Sequence, residues 1–394
     1  MSMIGPLSTL NGTNGTNGTN GTNGTNGTNG TNGTNGLGGY SGWVTNPLLA
    51  TALIRSRRDL VSPLQPNSAL FHPAKDWARG YPDEGNKPSD GLPQLDLAEN
   101  LTQWDANTRF FLSHVELLRG IDFTVDQTNA TCTLRVNGKN AFILRRPDRA
   151  KFELALGSVR SWATQRDERL PEILTQVAPQ WSFWSAIANL HPERNRWTIE
   201  LLLCALQFAM LMTQRMKHAL ACPRPVEYDP TLQPIILTPP YSAYPGGHAA
   251  EAWTFARVFA ALVGQARKTS GTPPQSNEFL DALEALSLRI TENRVVAGLH
   301  FAVDGASGFV LGETVADYFI ARCGQGARMA ERSFDGTLFA ATDDFLDGTS
   351  LYGSGKPAGR TPDAIAVEPS PLMNALWARA RAEWPGQGFV LPQS

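Results

Sequence analysis

The chain is short of cysteine, of long uninterrupted apolar runs and of any excess of one charge, and each shortage removes a class of function. Its four cysteines, Cys132, Cys204, Cys222 and Cys323, are scattered through 394 residues without C-x-x-C spacing. They therefore read as reduced packing residues rather than as a disulfide framework or a zinc site. A formal net charge of −2 supplies no basic excess, so a general nucleic-acid partner is not expected. The most apolar segment, Ile199 to Met212, is interrupted by Glu200 and Gln207. It falls short of the roughly 20 apolar residues that cross a bilayer, so no membrane span is expected. Met1 to Leu10 lacks the basic start and apolar run of a signal peptide, which leaves the cytoplasm as the default location.

What is present suits a large core: 42% hydrophobic and 18% charged residues. From Asn11 to Gly36 the chain repeats Asn-Gly-Thr with no apolar residue, a composition that cannot offset the entropy of ordering. Residues 1–39 are thus expected to form a disordered tail, and 40–394 a single domain. Tyr40 to Pro93 reads as a first ordered segment and a Pro-rich arm. Helical spacing covers Asn100 to Leu118, where Trp104, Phe111, Val115 and Leu118 would share a buried face. Alternating segments 131–136 and 141–144 flank Asn137-Gly138, a two-strand hairpin signal and the one convincing β element. Helical patterns resume over Arg149–Arg166, Leu170–Leu190, Thr198–Ala221, Leu280–Ala297, Val303–Ala321 and Ser370–Glu383. The expected fold class is all-α, with antiparallel bundles and one small hairpin. It would place an N-terminal helical layer at 100–190 and an active-site bundle at 197–321.

Three segments carry the chemistry, and each straddles a predicted helix end. In Lys217–Pro225 (KHALACPRP), the prolines end a helix with Lys217 on its last turn, where the helix dipole favours a positive charge. The stiffened exit aims Arg224 back toward Lys217. In Tyr241–His248 (YSAYPGGH), Gly246 and Gly247 open a helix, so that His248 lies near free backbone N–H groups. In Asn293–Asp304 (NRVVAGLHFAVD), Arg294 precedes a break at Gly298. His300 follows the break, and Asp304 falls in the next first turn as a cap or as an orienter of His300. Lysine and two arginines beside helix ends suit an oxyanion.

The order K-x6-R-P, P-G-G-H and N-R-x5-H-x3-D resembles the active-site motif of the phosphatidic-acid-phosphatase type 2 superfamily, which includes lipid phosphatases, acid phosphatases and vanadium-dependent haloperoxidases. Pro239-Pro240-Tyr241-Ser242-Ala243-Tyr244-Pro245 looks more like the haloperoxidases. The resemblance implies vanadate as cofactor, with phosphate able to occupy the same site. Lys217, Arg224, Arg294 and the Gly247 N–H would hold its oxygens, and His300 would be the metal ligand. His248 would be the acid or base, and Asp304 would fix the His300 tautomer. It also implies hydrogen peroxide and a halide as substrates, with an organic acceptor and a homo-oligomer as further partners. Tyr241 and Gln214 would neighbour the peroxide. Two positions depart from the motif. Gly246 stands where serine is usual, a lost hydroxyl worth about 0.5–3 kcal/mol, and Asn293 replaces a second serine. Three readings stay open: a haloperoxidase, a metal-free acid phosphatase working through a phosphohistidine, and a non-catalytic phosphate-binding protein.

Overall fold

The computed structural model describes residues 95–177, 180–269, 278–340 and 348–384. The Asn-Gly-Thr tail and the arm before Pro93 lie outside them. The chain divides into two compact units, one ending at Ser113 and the other beginning at His114.

In the first unit, a 3-10 turn (Ala98–Gln103) precedes helix α1 (Ala106–Leu118), which runs on into the second unit. Asp105 starts α1 by accepting the N–H groups of Asn107 and Thr108 at 2.9 and 3.1 Å. The face expected to be buried is the exposed one: Phe111 is 68% and Val115 59% exposed, and Trp104 and Leu118 are also open. The buried stripe runs instead through Ala106, Phe110, Ser113, His114 and Leu117. Polar Ser113 and His114 disguised it, and the Ser113 hydroxyl satisfies itself on the Arg109 carbonyl.

The second unit corrects the all-α expectation. It holds a five-stranded mixed sheet in the order β1-β2-β3-β4-β5, formed by Ile121–Asp126, Thr131–Val136, Lys139–Arg145, Arg328–Asp335 and Ala358–Ala366. The hairpin across Asn137-Gly138 is present, with both turn residues at positive φ, as its tight turn requires. β1, β4 and β5 were not expected, and the stretch 100–190 is not purely helical. β4 buries Arg332, which pairs with Asp317 at 2.7 Å, so its inward face does not read as apolar. β5 carries Pro362 and an Asp363 at φ 48°, and its pairing with β4 is irregular, which breaks the alternation a strand pattern needs.

β3 and β4 run parallel, with Phe142 beside Arg332 and Arg145 beside Asp335. Parallel neighbours need a crossover, and this one contains the helices that carry all three motifs. In order these are α2 (Arg149–Trp162), α3 (Arg166–Thr175), α4 (Trp181–Ala188), α5 (Arg196–Leu220), α6 (Pro225–Tyr228), α7 (Gly247–Thr269), α8 (Glu278–Val296) and α9 (Ala302–Arg322). The stretch 170–190, expected as one helical pattern, is split between α3 and α4. The aromatic cluster on α4 is core, since Trp184 is buried and stacks on Phe255 at 4.4 Å between ring centroids. A last helix, α10 (Pro371–Ala382), ends at Glu383, whose carboxylate accepts the Trp197 and Thr198 N–H groups at the start of α5.

α5 is more apolar than its sequence suggested. Through 196–228 the chain is long and apolar enough to cross a membrane by length and composition, yet 67% of the qualifying window is buried inside the fold. The helix is a core element, packed against α7, α9 and α10.

α7 and α9 approach closely at glycines. A Cβ on Gly308 would lie 2.4 Å from the Gly246 carbonyl oxygen and 2.7 Å from the Ala249 Cβ. A Cβ on Gly246 would lie 2.7 Å from the Asp304 carbonyl oxygen. Reciprocally, the Gly246 N–H donates to that oxygen at 2.7 Å. The start of α7 is therefore seated backbone to backbone on the first turn of α9.

Candidate functional site

Lys217 lies on the last turn of α5 and is buried. Its Nζ donates to the carbonyls of Ser242 and Ala243 at 2.9 and 2.5 Å. The helix end was expected to favour its charge, but burial, followed by repulsion from Arg224, pushes the ammonium well below the ordinary lysine range; Asp304 and Glu251 oppose this.

Arg224 follows the helix stop, where Ala221 takes φ 50° and Pro223 and Pro225 stiffen the exit. Its guanidinium donates to the carbonyls of Tyr241 (2.8 Å) and Leu299 (3.1 Å), and its Nη1 lies 3.4 Å from His300 Nε2. Tyr241 lies beside both cations, its ring centroid 5.2 Å from Arg224 Cζ and 5.8 Å from Lys217 Nζ. Gln214 is half-buried three residues before Lys217 on α5, and no hydrogen bond ties it to the site among the described residues.

His300 and Asp304 meet at the start of α9. His300 Nδ1 lies 2.9 Å from Asp304 Oδ2, which also accepts the Phe301 N–H at 3.0 Å. Asp304 thus caps the helix and orients the imidazole at once. Burial, then Arg224, Lys217 and Arg294, hold His300 well below the usual histidine range. A neutral ring that donates through Nδ1 presents the Nε2 lone pair outward. Burial raises the Asp304 carboxyl, while Lys217, the Phe301 N–H and Arg224 pull it down.

His248 is the second residue of α7, and its Nε2 lies 3.1 Å from the Gln176 carbonyl oxygen, to which it donates. The ring keeps some accessible surface. Dense surroundings, then Arg294 and His300, hold it well below its ordinary value, so it too is neutral with Nδ1 unprotonated. Gly247, beside it, has room: a Cβ there would meet nothing nearer than Glu251 Oε1 at 3.7 Å and Lys217 Cε at 3.8 Å.

Arg294, near the end of α8, differs from the other buried arginines. Nη2 donates to the Ile173 carbonyl at 3.2 Å and to Gln176 Oε1 at 3.3 Å, while Nε and Nη1 have no acceptor. Arg169, Arg322 and Arg332 each bury an unmatched Nε as well, but each is ion-paired through its guanidinium. No carboxylate lies within ion-pair distance of Arg294 among the described residues. Burial alone lowers its pKa to about 10.

Two residues of this site were not singled out in the sequence. Glu251 lies one turn into α7 beside Lys217, and burial raises its carboxyl to about 7. Its spacing of four from Gly247 puts it on the same helix face. Gln176 ends α3, and its backbone oxygen accepts from His248 while its Oε1 accepts from Arg294 and from Asn293 Nδ2 at 2.8 Å. No local pattern marks it, because its site partners His248 and Arg294 lie 72 and 118 positions away.

Asn293, where the motif usually has serine, is buried in a polar layer with Glu172, Gln176 and Arg169. Its Nδ2 also donates to Glu172 Oε2 at 2.9 Å, and Arg289 grips Glu172 through two bonds of 2.8 Å. The Arg289 bonds hold the Glu172 carboxyl at about 2, below its ordinary 4.5. A depressed carboxyl stabilises the fold above its unfolded pKa, and that contribution is lost as pH falls through the folded value. The stability gap between wild type and Glu172→Gln should therefore be constant above pH 4.5 and close as pH approaches about 2. Urea unfolding across that range tests this, and a gap independent of pH contradicts it.

A separate cleft of about 990 Å³ lies on residues 221–223, 227 and 228, walled by Arg146 and Phe152. Lys217, Arg224, His248, Arg294, His300 and Asp304 do not line it.

No curated protein matches the chain. Lys217, Arg224, Gly246, Gly247, His248, Arg294, His300 and Asp304 all fall within residues 198–325, which match the PAP2 superfamily, and this stretch of the chain is a PAP2-superfamily domain.

Proposed function

We propose that the protein is a vanadate-dependent haloperoxidase. The observation that carries an oxyanion site is Arg294: a buried guanidinium with two nitrogens unmatched and, among the described residues, no carboxylate partner. Such a charge is costly to bury alone, and a bound oxyanion supplies the missing acceptor. Lys217 and Arg224 add charge held by backbone carbonyls rather than by carboxylates.

These residues fit vanadate. Lys217, Arg224, Arg294 and the Gly247 N–H would hold its oxygens, and His300 Nε2 would be the ligand to the metal. When bound, vanadate supplies a Lewis acid for the oxidation of a halide by hydrogen peroxide to a hypohalous acid equivalent. His248 donates its Nε2–H to the Gln176 carbonyl, which leaves Nδ1 as the atom that would take a proton from hydrogen peroxide.

The test pairs two assays. Vanadate-loaded protein, given hydrogen peroxide, bromide and a halogen-accepting dye, is expected to halogenate the dye. Metal-free protein is given a chromogenic phosphate ester. Ester cleavage that vanadate inhibits, with no halogenation, would replace this reading by a phosphatase.

A further inference from the structure

Gly246 stands where the motif usually carries serine, and the fold explains why no side chain is present: its Cβ would collide with the Asp304 carbonyl oxygen at 2.7 Å. The site is thereby one hydroxyl donor short. Gln176 is fully buried, and its side-chain oxygen already accepts from Asn293 Nδ2 (2.8 Å) and Arg294 Nη2 (3.3 Å). Those two donors fix the amide orientation, because a flipped amide would set its NH₂ against them. Its buried Nε2 then has no acceptor among the described residues, on a residue that holds Arg294 by its side chain and His248 by its carbonyl. Arg294 Nε and Nη1 are unmatched too. Three orphaned donors on two neighbouring side chains are better accounted for by one shared acceptor than by three separate costs.

We propose that Gln176 is an oxyanion-binding residue: its Nε2 donates to an oxygen of the bound vanadate or phosphate, supplying the donor that Gly246 cannot. The inference rests on the oxyanion site proposed above, but not on which reaction follows. Gln176→Met removes the amide at similar length. Gln176→Glu keeps an acceptor for Arg294 and Asn293 but replaces the donor with a negative oxygen. In calorimetric titration with sodium orthovanadate, and separately with phosphate, Gln176→Met is expected to bind about 10- to 100-fold more weakly than wild type. Gln176→Glu is expected to bind more weakly still.

A second measurement separates donation from mere positioning of Arg294. In wild-type protein labelled with ¹⁵N-glutamine, the side-chain NH₂ signal that is missing from both variants should shift when vanadate is added. If wild type binds vanadate while that signal stays put, or if both variants bind as tightly as wild type, Gln176 is not a donor and this proposal fails alone. If wild type binds neither anion, the oxyanion site itself fails, and this proposal with it.

Discussion

Replacing His300 by alanine is expected to lower dye halogenation by vanadate-loaded protein by at least about 100-fold, the low end of what a positioned imidazole contributes. The expectation follows from how the ring is prepared. Burial and three nearby cations keep it neutral, and its Nδ1–H donates to Asp304 Oδ2, which leaves the Nε2 lone pair beside Arg224 Nη1. The other imidazole of the site, His248, is held in place by its Nε2–H on the Gln176 carbonyl. Thermal melting should confirm that the variant is folded, and added free imidazole should restore part of the rate. A folded variant that halogenates at the wild-type rate would remove His300 from the chemistry.

Restoring the usual serine at position 246 is expected to damage the protein rather than improve it. A Cβ there would meet the Asp304 carbonyl oxygen at 2.7 Å, its carbon at 3.0 Å and the Gly305 nitrogen at 3.3 Å. All three are backbone atoms of a helix start and cannot swing aside as a flexible side chain would. Overpacking of this kind costs about 1–3 kcal/mol. Any relief comes from moving the first turn of α9, which carries the Asp304 carboxylate that orients His300. Gly246→Ser should therefore lower the urea midpoint and weaken vanadate binding together. Gly247→Ala, whose new carbon meets nothing closer than 3.7 Å, serves as a stability control. A serine variant as stable as wild type, with tighter vanadate binding, would show that the missing hydroxyl and not the backbone contact governs this position.

The three motifs were legible in the sequence because each is short, ordered and tied to a helix end. The fold brings Lys217, Arg224, His300 and Asp304 together, with Arg294 and His248 joined through Gln176. The hairpin was legible for the same local reason, since Asn137 and Gly138 both tolerate the turn. What escaped depends on distant partners. β4 looks polar because its buried Arg332 is neutralised by residues of α9. The inward stripe of α1 contains Ser113 and His114, so counting apolar positions selected the opposite face. Gln176 resembles any polar residue at a helix end, and its importance lies in groups more than 70 positions away. The lowered pKa of Lys217 was not legible either, because a helix-end effect of under about 1 kcal/mol is small against desolvation.

The parallel pairing of β3 with β4 joins Arg145 to Asp335, 190 positions apart. Closing so long a loop costs on the order of 5 kcal/mol in chain entropy, more than a few ladder bonds return by themselves. The seam between these strands is therefore expected to close late, once the intervening helices have shortened the path, and to depend on their staying assembled. Anything that loosens the helices between these strands would be felt in the middle of the sheet, by unpicking that seam.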